Sequence, residues 1–121
     1  MRSNVMTVKE CYEKMGANYE NVLSRLGGSE ALVKRLALKF LDDASYQKLE
    51  EQLLNKNVEE AFRAAHTLKG VCLNLGFDNL FTVSSDLTEK LRAKELDGAD
   101  ELFVKVKEQY EITVAAVKNL D

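Results

Sequence analysis

Apolar residues recur along this chain at steps of three and four, the period of one face of an α-helix. The clearest stripe is Ala61, Ala65, Leu68, Cys72 and Leu75. Asn57 stands before it as an N-cap, Glu59 and Glu60 fall in its first turn, and Gly76 stops it, so the pattern predicts a helix over 57–76. Leu80, Val83, Leu87 and Leu91 form the next stripe, opened by Asp78 and predicted to run over 78–95. Leu102, Val106, Tyr110, Val114 and Val117 form the last, after Gly98, over 98–120.

The first half of the chain reads in shorter pieces. Gly16 ends a helix predicted from Thr7 to Met15, and Asn18 caps another through Leu26, stopped by Gly27-Gly28. Ser29 is read as an N-cap with Glu30 in the first turn, and Leu32, Leu36, Phe40 and Leu41 carry that helix over 29–43. Ser45 is read as the cap of a helix over 45–55, with Leu49, Leu53 and Leu54 before the Asn55-Lys56-Asn57 break. Helices with single apolar faces must bury those faces against one another. The simplest arrangement is an all-α, antiparallel four-helix bundle with short N-terminal capping helices over 7–26.

Composition supports this picture. The chain has 121 residues, one domain's worth, and no proline. A net charge of −3, with both signs spread along the chain, gives no basic face for nucleic acid. No apolar run approaches the roughly 20 residues of a membrane span. No signal-peptide core follows Met1-Arg2-Ser3-Asn4, so a cytoplasmic location is expected. Cys11 and Cys72 lack partners at metal-ligand spacing and read as reduced thiols. A single histidine with no Glu-x-x-His partners does not make a metal site, and no nucleophile–base pair suggests a hydrolase.

That single histidine, His66, is the candidate chemistry. The stripe of its helix is complete without it, and a step of one residue turns about 100°, so His66 falls off the core face. Lys69 and Gly70 follow at three and four residues and share its face. A glycine inside a helix costs about 1 kcal/mol relative to alanine, and clearance for an incoming group is a reason to accept that cost. A neutral imidazole is a good nucleophile, and its ordinary pKa of about 6.5 leaves it mostly uncharged near neutral pH. The trio therefore offers a phosphoryl acceptor, a cation to offset phosphate charge and room for a donor. With no phosphate-cradling glycine loop in the chain, the donor is expected to be another protein.

The run Ala64-Ala65-His66-Thr67-Leu68-Lys69-Gly70, followed by Asn74-Leu75-Gly76, resembles the signature of histidine-containing phosphotransfer domains. Phe40-Leu41-Asp42-Asp43 and the stretch from Tyr19-Glu20 to Leu26-Gly27-Gly28 also look like that family, so the resemblance covers about 18–95. It implies that His66 takes phosphate from an aspartyl-phosphate on a receiver domain and passes it to a second receiver. The chain would then be a carrier more than an enzyme, with no cofactor of its own and with Mg²⁺ and the catalytic acids supplied by the receiver. The implied partners are receiver domains and a hybrid histidine kinase, and the chain is expected to be a monomer. Lys69 would offset phosphate charge and Gly70 would admit the receiver's loops.

Leu73, seven residues beyond His66 on the same face, and Phe77 are candidate docking residues, with packing under the helix–helix connection as the other reading of both and the favoured one for Phe77. Two positions depart from the family pattern. Val71 stands where small residues are common, and Thr88 stands where a glutamine or glutamate often hydrogen-bonds the imidazole. Thr88 is accordingly the candidate imidazole neighbour, with a shorter reach. Alternative readings are a receiver-docking module that carries no phosphate, and the phosphoacceptor domain of a chemotaxis-type histidine kinase.

Overall fold

The computed structural model describes residues 5–120, and the expectation drawn from Met1–Asn4 lies outside them. Among the described residues the chain forms seven α-helices: α1 (Val8–Lys14), α2 (Tyr19–Arg25), α3 (Glu30–Lys39), α4 (Ser45–Leu54), α5 (Val58–Leu75), α6 (Asp78–Arg92) and α7 (Ala99–Lys118). A short 3₁₀ turn, Phe40–Asp42, follows α3. Helices α4 to α7 pack as a four-helix bundle, each joined to the next by a short connection, so that neighbours run antiparallel.

Local chemistry explains most boundaries. Thr7 and Glu10 form a reciprocal capping box, and the side chains of Asn18, Ser29 and Asn57 each accept from the backbone N–H three residues on. Ser45 does not cap α4. It is the first residue of the helix and is buried, and its N–H donates to Asp43 Oδ1 at 2.9 Å, so the carboxylate supplies the cap. Two ends fall short of the pattern. The helix over 29–43 tightens to 3₁₀ at Phe40, and α6 stops at Arg92, where the chain turns through Lys94 at φ 62°.

The core runs along the bundle between Leu49, Leu68, Leu87 and Val106, all fully buried. On α3 the buried positions are Val33 and Ala37 with Phe40, not Leu32 and Leu36, which lie on the flank, while Leu41 is exposed. The smaller side chains let α3 approach closely and leave the leucines to seal its edges. Val83 likewise is only half-buried, because α6 turns Ser84 and Thr88 inward beside Leu80, Leu87 and Leu91. An aromatic stack joins α4 to α7: the Tyr46 and Tyr110 rings lie 3.8 Å apart and nearly parallel.

The short helices close the end of the bundle where α5 turns into α6. The Tyr12 hydroxyl donates to Leu75 O at 2.6 Å, and both terminal nitrogens of Arg25 reach Leu73 O at 3.3 Å. The Tyr12 hydroxyl satisfies a carbonyl that the last turn of α5 leaves without a helical partner, and Arg25 adds to the bond that Leu73 O accepts from the Gly76 N–H at 3.3 Å. The backbone N–H of Met6 donates to Asn119 O at 2.7 Å, tying the start of α1 to the end of α7. Gly76 makes this arrangement possible. Its φ of 72° ends α5 in the left-handed conformation, and a Cβ there would run into the Val22 side chain of α2.

Candidate functional site

Helix α5 sorts its residues by face. Ala61, Ala65, Leu68, Cys72 and Leu75 are buried, and His66 is exposed midway along the outer side. Lys69, one turn on, lies partly against the surface with its side chain 23% exposed, and its ammonium is 4.0 Å from Glu89 Oε2 on α6. At Gly70 a Cβ would meet no heavy atom within 4 Å. Packing within the chain therefore does not require glycine at this position, and the open space faces outward beside the imidazole.

The other candidates divide. Leu73 is 52% exposed and continues the His66 face toward the closed end of the bundle. Phe77 offers no surface. It is 1% exposed, with its ring 5.6 Å from that of Tyr12 and 5.2 Å from that of Phe40, so it is a core residue under the α5–α6 turn and not a docking residue. Tyr12 of α1 and Phe40 of the 3₁₀ turn pack against it, and they are what the pattern of α5 alone does not show. Thr88 is also fully buried, and its hydroxyl donates to Ser84 O at 2.6 Å on its own helix. Its hydrogen is spent there, and Thr88 does not orient the imidazole.

Three residues not singled out in the sequence are found here instead, one beside His66 and two on α6 that meet Phe62 and Lys69. The Phe62 ring, one turn earlier on α5, lies 5.8 Å from the imidazole with 29° between the planes. The Arg92 guanidinium of α6 sits 5.0 Å from the centre of the Phe62 ring. Glu89 accepts from Arg92 Nε at 3.1 Å and from Arg92 Nη2 at 3.4 Å while facing Lys69. The four-residue spacing of Phe62 and His66 was a usable signal. Glu89 and Arg92 reach the site only through the pairing of α5 with α6.

The thiols are not rival nucleophiles. Cys72 shares α5 with His66 but is fully buried, and burial pushes its pKa up, as it pushes Cys11 up to about 11. Both are neutral thiols near pH 7. Among the described residues no group of three or more His, Cys, Asp or Glu could hold a metal ion, and no helix is long and apolar enough to cross a membrane.

An exposed histidine with a cation and a gap on its own helix face, in a bundle of this kind, is the arrangement of a known family. The model of that family, the Hpt domain, matches residues 35–119. The chain belongs to the Hpt family. The match starts within α3 and takes in all of α7, beyond the 18–95 span of the motif resemblance, while α1 and α2 lie outside it. No curated protein and no solved structure matches the chain significantly. Hpt domains are histidine phosphotransfer intermediates of phosphorelays, generally not classed as enzymes, and they interact with receiver domains.

Proposed function

We propose that this Hpt domain is a phosphorelay carrier in which His66 accepts a phosphoryl group from the aspartyl-phosphate of one receiver domain and delivers it to another. The observation that carries this reading is the exposed His66, with open space at Gly70 and Lys69 one turn on along the same helix. In-line attack on phosphorus needs an approach that no side chain of the acceptor blocks, and Gly70 leaves that approach clear.

In the transfer the unprotonated ring nitrogen of His66 attacks phosphorus. A nitrogen–phosphorus bond forms, the bond from phosphorus to the aspartyl oxygen breaks, and its electron pair leaves with the carboxylate. The other ring nitrogen keeps its proton, which solvent then removes. Lys69 offsets the charge of the phosphoryl oxygens, and the receiver contributes Mg²⁺ and its acidic residues. Leu73 belongs to the receiver-docking surface. The whole chain acts as one phosphotransfer domain.

Incubation with a phosphorylated receiver and Mg²⁺ is expected to label the chain on His66, with the label passing to a second receiver. His66→Gln is expected to abolish labelling without loss of helicity. Labelling that persists in the substituted protein would sink the assignment. Tight receiver binding with no transfer from any of several donors would replace the carrier with a docking module.

A further inference from the structure

An acceptor nitrogen is useful only when it points along the line of attack, and an exposed imidazole free to turn about its side-chain bonds spends little time there. In this chain the facing helix provides no hydrogen bond for that purpose: Thr88 is buried and committed to Ser84 O. Among the described residues no side chain hydrogen-bonds the His66 ring. What the ring does have is Phe62, four residues earlier on the same face, 5.8 Å away and inclined by 29°.

We propose that Phe62 is the positioning residue for His66, holding the imidazole by offset stacking in place of a hydrogen bond from α6. The proposal rests on the reading of His66 as the phosphoacceptor. Phe62 suits the role because it is itself held. One side of it packs against the core while the ring remains partly exposed. Arg92 lies over that ring at 5.0 Å, within the range of a cation–π contact, and Glu89 fixes the guanidinium through two hydrogen bonds. Glu89 also faces Lys69. A single array spanning α5 and α6 thus links the stacking ring, four residues before the acceptor, to the cation three residues after it. A leucine at position 62 would seal the helix flank equally well. It would not offer a flat face to the imidazole, and this separates positioning from packing.

The test uses the fact that His66 is the only histidine, so its ring protons give one assignable set of NMR signals. In the unphosphorylated full chain at fixed pH, these signals are expected to carry a ring-current shift. Phe62→Leu should return them to free-imidazole values with helicity retained. The same variant should accept phosphate about three- to ten-fold more slowly, the size of one lost aromatic contact, with receiver affinity unchanged. Phe62→Tyr, which keeps the flat ring, should restore both shift and rate. Ring signals that ignore Phe62→Leu would overturn the stacking, and a moved signal with an unchanged rate would overturn its role in positioning. Ring signals that differ between wild type and Phe62→Leu, with no phosphoryl group taken by the wild type, would defeat the acceptor reading separately, with the stacking intact.

Discussion

The Tyr12 hydroxyl and the Leu75 carbonyl meet at 2.6 Å inside the protein, across 63 residues of sequence, and so fasten the first helix to the end of the helix that carries His66. The carbonyl belongs to the last turn of α5, where no helical N–H is available to it. Tyr12→Phe leaves it buried without that partner. The expected loss is about 1–3 kcal/mol of unfolding free energy, read from urea titrations followed by circular dichroism. Phosphoryl acceptance by the folded fraction should be unaffected, because His66 lies about nine residues, or roughly 13 Å of helix, from that contact.

Gly70 and Gly76 sit on one helix and should respond oppositely to alanine. At Gly70 the added methyl meets nothing within 4 Å, so Gly70→Ala is expected to stabilise the fold by about 1 kcal/mol. It should at the same time slow phosphotransfer, since the methyl enters the approach to His66. At Gly76 the backbone is left-handed and the methyl would collide with Val22, so Gly76→Ala should lower the melting temperature. Two alanine variants shifting the melting temperature in the same direction would contradict this account of why each glycine is there.

Lys69 and Glu89 approach no closer than 4.0 Å with Glu89 largely exposed, a geometry worth little to stability. Lys69→Gln should therefore change unfolding free energy by less than about 0.5 kcal/mol. Its effect should appear in transfer, as a roughly ten-fold slower acceptance of phosphate that salt reduces, because the lost charge acts on the incoming phosphoryl oxygens. Equal rates for Lys69→Gln and wild type would remove Lys69 from the site.

The buried thiols and phenols are expected to weaken the fold at alkaline pH. Burial raises Cys72 and Cys11 above the ordinary thiol value of 9.0, Cys11 to about 11, and raises Tyr12 and Tyr46 above 10.0, Tyr46 to about 12. The folded state holds these protons more tightly than the unfolded chain does. Their contribution is thus fully present below pH 9 and is lost as pH climbs through 9–10 and beyond. Melting temperatures at pH 7.5, 9 and 10.5 are expected to hold steady and then fall. The native protein at pH 8 should resist a disulfide reagent that modifies both cysteines once urea is added. Flat stability to pH 11 or fast native modification would contradict the burial of these groups.

The sequence by itself determined the helices and the face that carries His66. Three- and four-residue periodicity, together with the caps at Asn18, Ser29 and Asn57, is local information, because each cap bonds within its own first turn. The placement of His66, Lys69 and Gly70 on one side of α5 follows from helix geometry alone. The tertiary structure decided what meets that face. Phe77 reads either as docking surface or as packing under the α5–α6 turn until Tyr12 of α1 and Phe40 of the 3₁₀ turn are brought against it. Thr88 reads as the neighbour of the imidazole until the rotation of α6 turns it into the core and brings Glu89 and Arg92 to the surface in its place. The rotation of one helix about its axis against another depends on how all the side chains between them pack, and a one-dimensional pattern of polar and apolar positions fixes it only to within the width of a face.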